Sequence, residues 1–245
     1  MKKLLCGILL SLFMVACNEK NENVLVLATS ADYPPFEYYK NGEIVGFEIE
    51  LMDIIAKKLQ KTLKIKDVSF DGIIAGLQSN RYDVAISAIS STPEREKKID
   101  FCIPHHRSVA VMLLPANSTI SGIQDLSGKV LGVQMGTTYE TMARNDWAPT
   151  LKDLKIRSLA KVPDLIQDFR SNRIDVIVLG ISEAEQVLKT YTDLKVVSLP
   201  GTESVYSIAL PKGSDLLEKI NSILVDLEKS GELKALEHKW LKQNS

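Results

Sequence analysis

The chain has 245 residues, 45% of them hydrophobic and 25% charged, an ordinary globular composition that excludes a disordered polymer, a collagen, a coiled coil and a polytopic membrane protein. Its 30 Lys and Arg against 31 Asp and Glu leave a net charge of -1, so there is no basic excess for phosphate contacts and a nucleic-acid partner is not expected. The length admits one large domain or two lobes.

The chain opens on its one lopsided segment. Lys2 and Lys3 precede an apolar run from Leu4 to Val15, which closes in Met14-Val15-Ala16-Cys17. A permanent membrane span needs ~20 apolar residues, so this shorter run reads as a secretory signal over residues 1–16. Ala16 followed at once by Cys17 looks like a bacterial lipobox, implying cleavage before Cys17 and lipid on its sulfur; an ordinary cleavage beside an incidental cysteine is the plainer alternative. The polar run from Asn18 to Asn23 favours the lipid, because residues 17–23 then form a featureless tether to the folded body. Export to the cell envelope follows, with membrane contact through the anchor only. Beyond residue 17 the only cysteine is Cys102, so the body forms no intramolecular disulfide.

From Val24 onward, short apolar runs alternate with helical ones, the pattern of an α/β fold. Strands are expected at Val24 to Ala28, Leu63 to Val68, Asp83 to Ile86, Val130 to Val133, Lys155 to Leu159 and Asp175 to Leu179. Helices are expected at Gly46 to Leu59, Asp71 to Ser79, Thr138 to Arg144, Asp164 to Ser171, Glu183 to Leu188, Asp215 to Lys229 and Gly231 to Leu241. In the first of these, Phe47, Ile49, Leu51, Ile54, Ile55 and Leu59 recur at amphipathic spacing, and Glu48, Glu50 and Asp53 read as its solvated face. Ser79-Asn80-Arg81-Tyr82-Asp83-Val84 recurs 92 residues later as Ser171-Asn172-Arg173-Ile174-Asp175-Val176, each copy joining a helix to a short strand. The repeat points to two similar lobes, or at least to one helix-to-strand turn used twice. Ligands of open α/β sheets bind beyond the carboxyl ends of the strands, so Ser87, Ala88, Ile89 and Ser90 should face Gly180 to Ser182 across a cleft.

Three segments carry candidate chemistry. Thr92-Pro93-Glu94-Arg95 starts a helix, with Thr92 as N-cap and Pro93 at the first helical position. Arg95 opposes the helix dipole there by ~0.3–1 kcal/mol, which makes sense if its guanidinium forks onto an arriving carboxylate, although Glu94, Glu96 or another surface acid could equally hold it. Asp32 to Tyr39 places Tyr33, Phe36, Tyr38 and Tyr39 in eight positions of a chain that is 6% aromatic, a loop able to cover the apolar part of a ligand or to cap the lobe's core. Phe70 shares that ambiguity. Gly136-Thr137-Thr138-Tyr139-Glu140 fits a capping box and also offers hydroxyls and N–H groups to an anion. No sequence motif of a metalloprotease, serine hydrolase, phosphate-binding loop or paired-cysteine site occurs, and His105 and His106 would project to opposite sides of an extended segment, so neither metal nor cofactor is implied.

In order and spacing, Tyr33-Pro34-Pro35-Phe36-Glu37, Gly46-Phe47-Glu48-Ile49-Glu50-Leu51, Phe70-Asp71-Gly72, Asp83-Val84-Ala85-Ile86, Thr92-Pro93-Glu94-Arg95, Gly132-Val133-Gln134-Met135-Gly136-Thr137 and Lys239-Trp240 resemble a family 3 solute-binding protein, the polar amino-acid-binding component of bacterial ABC transporters. The resemblance spans Val24 to Leu241 and implies a two-lobed type II periplasmic-binding-protein fold, each lobe a mixed sheet flanked by helices. Lobe 1 would comprise residues 24–106 plus 205–245 and lobe 2 residues 107–204, with hinge strands near His105 to Val109 and Glu203 to Tyr206. It further implies that Arg95 grips an amino acid's carboxylate, helped by Ala88, Ser90 and Thr138, while Tyr33 and Phe70 sandwich the side chain. A monomer that delivers its ligand to a membrane permease is expected. Two positions depart from the pattern. Many members carry an acid for the ligand's amino group where this chain has Gly180, leaving Glu183 or another acid to substitute. Members for cationic side chains often have an acid near Ser30, for which Asp32 is the available stand-in, and Gln134 is also within reach. Arginine, lysine, glutamine and cystine all stay open as ligands. So do an enzyme like cyclohexadienyl dehydratase, with Glu183 or Asp32 as general acid, and a ligand-sensing receptor.

Overall fold

Residues 23–241, described by a computed structural model, form two five-stranded mixed sheets flanked by helices. The signal segment, Cys17 and most of the tether lie outside the described residues. In lobe 1, Val24–Thr29 runs parallel to Thr62–Asp67 and to Val84–Ala85, and Ala209–Pro211 returns antiparallel beside Val84–Ala85 and Ile99–Phe101. In lobe 2, Val130–Gln134 runs parallel to Lys155–Leu159 and Val176–Gly180, while Ala110–Pro115 lies antiparallel between Val176–Gly180 and Leu194–Ser198. The inner parallel strands Val24–Thr29, Val84–Ala85, Val130–Gln134 and Val176–Gly180 are mostly buried and read as short apolar runs, while the edge strands Thr62–Asp67 and Lys155–Leu159 are partly exposed and alternate. Two strands cross between the sheets as an antiparallel pair, His106–Ser108 with Ser204–Tyr206, in the stretches expected to hold the hinge.

The repeated hexapeptide does the same physical work in both lobes. Asn80 and Asn172 take left-handed φ values of 52° and 57°, ending their helices in the conformation asparagine tolerates best after glycine. Asp83 then accepts the N–H of Val26 at 2.8 Å, and Asp175 that of Val130 at 2.7 Å. Each aspartate thereby pins its own strand, the central one of its sheet, to the parallel strand beside it, with equivalent register in the two sheets.

Element boundaries moved where turn chemistry intervened. The expected helix from Asp71 opens as a 3-10 turn, Phe70–Gly72, before the α-helix Ile73–Gln78. The helix expected at Asp164 begins at Val162, because Pro163 supplies the helical φ without needing its N–H bonded. Thr138–Met142 continues into one π turn, Ala143–Trp147. Asp32–Tyr33, Glu37–Lys40 and Glu43–Val45 form a small sheet of their own that sequence reading passed over. Its last turn, Asn41-Gly42, has φ of 53° and 85°, the residue pair that two-residue hairpins favour. This hairpin packs backbone to backbone on the start of helix Phe47–Lys58: a Cβ at Gly46 would lie 2.1 Å from the Phe36 carbonyl oxygen, so only glycine fits. At the other end of the chain, Lys239 and Trp240 both donate to Glu50, at 2.6 and 2.7 Å, fastening the last helix onto that same helix.

Candidate functional site between the lobes

Arg95 sits in the four-residue helix Pro93–Glu96, whose N-cap Thr92 accepts the Arg95 N–H. The side chain turns inward and is 9% exposed. Its Nη1 donates to Ser90 O at 2.7 Å and its Nη2 to Gly136 O at 2.9 Å, and the guanidinium carbon stands 5.8 Å from the Phe70 ring centre. Among the described residues no carboxylate pairs with it, so neither Glu94 nor Glu96 plays that part. Burial pushes its pKa down to about 10. Two carbonyls use two of five guanidinium N–H groups, which leaves a buried cation with donors to spare.

Arg95 lines a cleft between the lobes that is nearly closed in this conformation, its free volume of about 20 Å³ being room for little more than one water molecule. Lobe 1 contributes Asp32, Tyr33, Phe70, Ser87, Ala88 and Ser90 to its wall, and lobe 2 contributes Gln134, Thr137 and Thr138. Thr137 caps its helix by accepting the Glu140 N–H, but Glu140 reaches back to the N–H of Gly136 and not to that of Thr137. The Thr137 hydroxyl also donates to Gln134 O at 2.7 Å. Glu37, Tyr139, Val178, Leu179 and Tyr206 join the wall without having been singled out in the sequence.

Two sequence candidates belong to the core instead. Phe36 is fully buried among Phe47, His106 and Tyr206, with ring centres 5.2–6.0 Å apart, so it holds the hairpin and hinge together. Ile89, 1% exposed, packs with Ile73, Leu77 and Ile99 under the lobe 1 sheet.

Ser30 and Asp32 are engaged across the lobe boundary. Asp32 accepts the Val162 N–H at 3.0 Å, the Gln134 amide at 3.3 Å and the Ser30 hydroxyl at 2.9 Å. Burial raises its pKa, against the pull of nearby Lys161. Lys161 itself reaches from lobe 2 to Ser30 Oγ and Asp67, both at 3.1 Å. These contacts, with Arg95 to Gly136 and the Gly180 N–H to the Tyr33 hydroxyl at 3.0 Å, latch the lobes shut. Lys161→Met should loosen the latch while leaving the cavity wall intact. Lys161 and Asp67 are partly exposed, so the expected loss of ligand affinity is ~0.2–1 kcal/mol, larger at low salt and carried by faster dissociation in stopped-flow traces.

Gly180 presents no side chain to the cleft. A Cβ there would stand 2.2 Å from Glu183 Oε2, so the Glu183 carboxyl already fills the space an acid at 180 would use. Glu183 is 2% exposed, neither of its oxygens has a hydrogen-bond partner, and burial raises its pKa well above the usual carboxylate range.

Behind the cleft floor lies a polar network that the sequence reading misjudged. Glu48, expected on the solvated face, is fully buried. It accepts from His105 Nε2 at 2.7 Å and from the N–H of Ala88 at 2.8 Å, holding Ala88 at a φ of 46° that alanine seldom adopts. Glu37, also fully buried, accepts the Ser87 hydroxyl at 3.0 Å, and the same Ser87 oxygen takes the Ser30 N–H. Burial and the neighbouring Glu48 raise the Glu37 pKa, so one proton stays on Glu37. Burial alone would raise Glu48 as well, but His105, Glu37 and the Ala88 N–H hold it below its ordinary value.

Comparison with known proteins bears on the whole described chain. The model of the bacterial extracellular solute-binding proteins, family 3, matches residues 25–243. The arginine-binding extracellular protein ArtP of Bacillus subtilis (strain 168) is 33% identical over 226 residues, covering 91% of this chain and 88% of that protein. The L-cystine-binding protein TcyJ of Escherichia coli (strain K12) is 33% identical over 226 residues, covering 90% and 84%. A crystal structure of the substrate binding protein of an amino acid ABC transporter matches with a TM-score of 0.84 at 38% identity, covering 90% of this chain and 100% of that one.

Proposed function

We propose that this chain, which belongs to the bacterial extracellular solute-binding proteins of family 3, binds a polar amino acid between its lobes and delivers it to the permease of an ABC importer. The observation that carries this reading is Arg95: a buried guanidinium in an inter-lobe cavity, held by two carbonyls and lacking a carboxylate partner. A carboxylate arriving there neutralises Arg95, which already bridges the lobes by donating from lobe 1 to Gly136 O in lobe 2. Tyr33 and Phe70 supply flat apolar surface for the rest of the ligand, and the hydroxyls of Ser90 and Thr138 supply polar contacts. The relatives named for arginine and cystine support a ligand with a polar or cationic side chain.

The lobes comprise residues 24–106 plus 205–245 and residues 107–204, and open about the two crossing strands when the latches release. The protein acts as a monomer at the cell envelope, exported by its first sixteen residues and anchored through lipid on Cys17. Among the described residues no helix is long and apolar enough to cross a membrane. Mass spectrometry of bacterial membranes decides the lipid: an unmodified Cys17 makes the protein merely secreted.

Titration calorimetry against L-arginine, L-lysine, L-histidine, L-glutamine and L-cystine tests the central claim. Micromolar or tighter binding of at least one is expected, with heat from closure of the cleft. Silence across the panel overturns the reading. The buried carboxyl of Glu183 favours one second reading, elimination of water and carbon dioxide from a small carboxylate with Glu183 as general acid. Turnover of prephenate or arogenate is its test.

A further inference from the structure

The tether joins lobe 1 at the end of the sheet away from the cleft. Val24 pairs with Thr62, and the Thr62 N–H donates to Asn23 O at 2.7 Å, so the chain emerges beside the first residue of the edge strand Thr62–Asp67. That corner is basic. Residues 57–66 hold five lysines and no acid, and Lys57, Lys58, Lys64 and Lys66 are exposed. Arg81, also exposed, flanks the tether on its other side, where Val84–Ala85 runs beside Val24–Thr29. The acids on these elements are mostly spent. Glu48 is buried, Glu50 holds Lys239 and Trp240, Asp67 pairs with Lys161 and Asp83 accepts the Val26 N–H, which leaves Asp53 beside Lys57. Helix C-termini favour lysine and edge strands use it to discourage pairing with other chains, which accounts for each residue singly. The duplicated architecture shows that the fold does not require their sum. In lobe 2 the equivalent edge strand is Lys155–Leu159, where Arg157 is held by Asp168 and Asp153 stands between Lys152 and Lys155. Of the two corners, the one with uncancelled lysines is the one the tether leaves.

From Cys17 to Asn23 the chain can reach at most ~20 Å. A lipid on Cys17 therefore keeps this corner close to a bilayer, whose anionic headgroups attract basic residues across about one Debye length, ~8 Å at physiological salt. The tether carries Glu19, Lys20 and Glu22 and supplies no positive charge of its own, so the attraction has to come from the folded corner. Resting on the lipid-anchor reading, we propose that Lys57, Lys58, Lys64, Lys66 and Arg81 form a docking face that seats lobe 1 on anionic lipid headgroups. Lipid and basic patch are then the two signals that together hold a protein on a membrane. Seated this way, the cleft at the carboxyl ends of the strands points away from the bilayer, toward arriving ligand. The net charge of -1 does not oppose the contact, because charges more than a Debye length from the headgroups are screened.

The test uses the chain without its first sixteen residues and with Cys17→Ser, which keeps both lobes whole and removes the lipid. It is floated with vesicles of two parts phosphatidylcholine to one of phosphatidylglycerol, and with vesicles of phosphatidylcholine alone. Each Lys or Arg brought to an anionic surface tightens binding by roughly fivefold, so the anionic vesicles should carry at least about tenfold more protein at low salt and lose it at ~1 M salt, where the Debye length is ~3 Å. Lys58→Glu with Lys64→Glu should bring flotation down to the level of the neutral vesicles. Lys57→Gln with Lys66→Gln, which removes charge without reversing it, should fall between. Lys152→Glu with Lys155→Glu changes the net charge of the chain as much as the first pair does, but on the lobe 2 corner, and should leave flotation unaltered. All three variants should unfold close to the wild-type temperature, since every substituted side chain is exposed. Equal flotation with the two kinds of vesicle, or equal losses in the two glutamate pairs, overturns the inference alone. An unmodified Cys17 in bacterial membranes overturns the anchor reading and this inference with it, because nothing then holds the corner at a bilayer.

Discussion

Replacing Arg95 with alanine is expected to weaken binding of the cognate amino acid by about 2–5 kcal/mol, roughly 30- to 5,000-fold. The size follows from burial: a ligand carboxylate desolvated in the cleft would lose its only fixed cation, and the remaining wall offers hydroxyls and carbonyls in its place. Arg95→Lys should fall between, because an ammonium keeps the charge but cannot hold Ser90 O and Gly136 O while forking onto a carboxylate. Stability of the ligand-free protein should respond quite differently. The displacement of the guanidinium pKa from 12.5 to about 10 corresponds to ~3 kcal/mol of unfavourable charge burial, present at every pH below about 10. Two hydrogen bonds to carbonyls offset part of it. Removing the side chain should therefore cost far less in unfolding free energy than in affinity, and calorimetry with denaturant unfolding on one preparation separates the two. Unchanged affinity in Arg95→Ala removes the residue from the site.

The contrast shows why Arg95 was legible in the sequence. A cation placed against a helix dipole, just past a strand end of small residues, breaks a local rule without local compensation, and such breaks gather at functional sites. Gly180 and Glu183 were legible only together: the missing acid at 180 raised the question, and the carboxyl of the acid three residues on occupies the volume a side chain at 180 would need. Tyr139 was hidden in a segment whose Thr137 and Glu140 matched a capping box, and Tyr206 lies in a crossing strand too short for periodicity to reveal its face. Phe36 looked like a ligand-facing ring because it stands in a run of aromatics, yet only packing against Phe47 and His106 decides its side.

The fold was legible for a different reason. Apolar runs, helix periods and the duplicated hexapeptide agree at every level, and the duplicated Asn and Asp turned out to fix the same two hydrogen-bonded corners in each sheet. The small sheet over Asp32–Val45 was readable from Asn41-Gly42 but was masked by attention to its rings. The balance of charge is informative in hindsight. A chain with net charge -1 has no global field to steer a ligand, so selection rests on a few desolvated groups in the cleft.

Glu48 is where sequence and structure part most sharply, and where the largest effect on stability is expected. Glu48 and Glu50 both lie in the first turn of helix Phe47–Lys58. Phase separates them: Glu48, Leu51, Met52 and Ile55 repeat at the spacing of one buried stripe, while Glu50 falls beside it and pairs with Lys239 at the partly exposed surface. Glu50→Ala should cost ~1 kcal/mol or less. Glu48→Ala strands His105, whose Nδ1 already lacks a partner, and leaves the N–H of Ala88 unsatisfied beneath the cleft floor. Breaking a buried pair from one side costs about 3–5 kcal/mol, a large share of the ~5–15 kcal/mol that holds a domain together. Without its acceptor, Ala88 should also relax from its left-handed conformation, so residual folded protein should bind ligand more weakly. The pH dependence has a definite sign. Because Glu48 titrates below its unfolded value, its contribution is complete above pH ~4.3 and is lost as pH falls through the lower folded value. Urea unfolding of Glu48→Gln should show a shallower acid limb than the wild type, with the Ala88 hydrogen bond preserved by the amide oxygen and a smaller loss at neutral pH than in the alanine variant. Equal stability of Glu48→Ala and Glu50→Ala would mean that the buried pair contributes no more than the surface one.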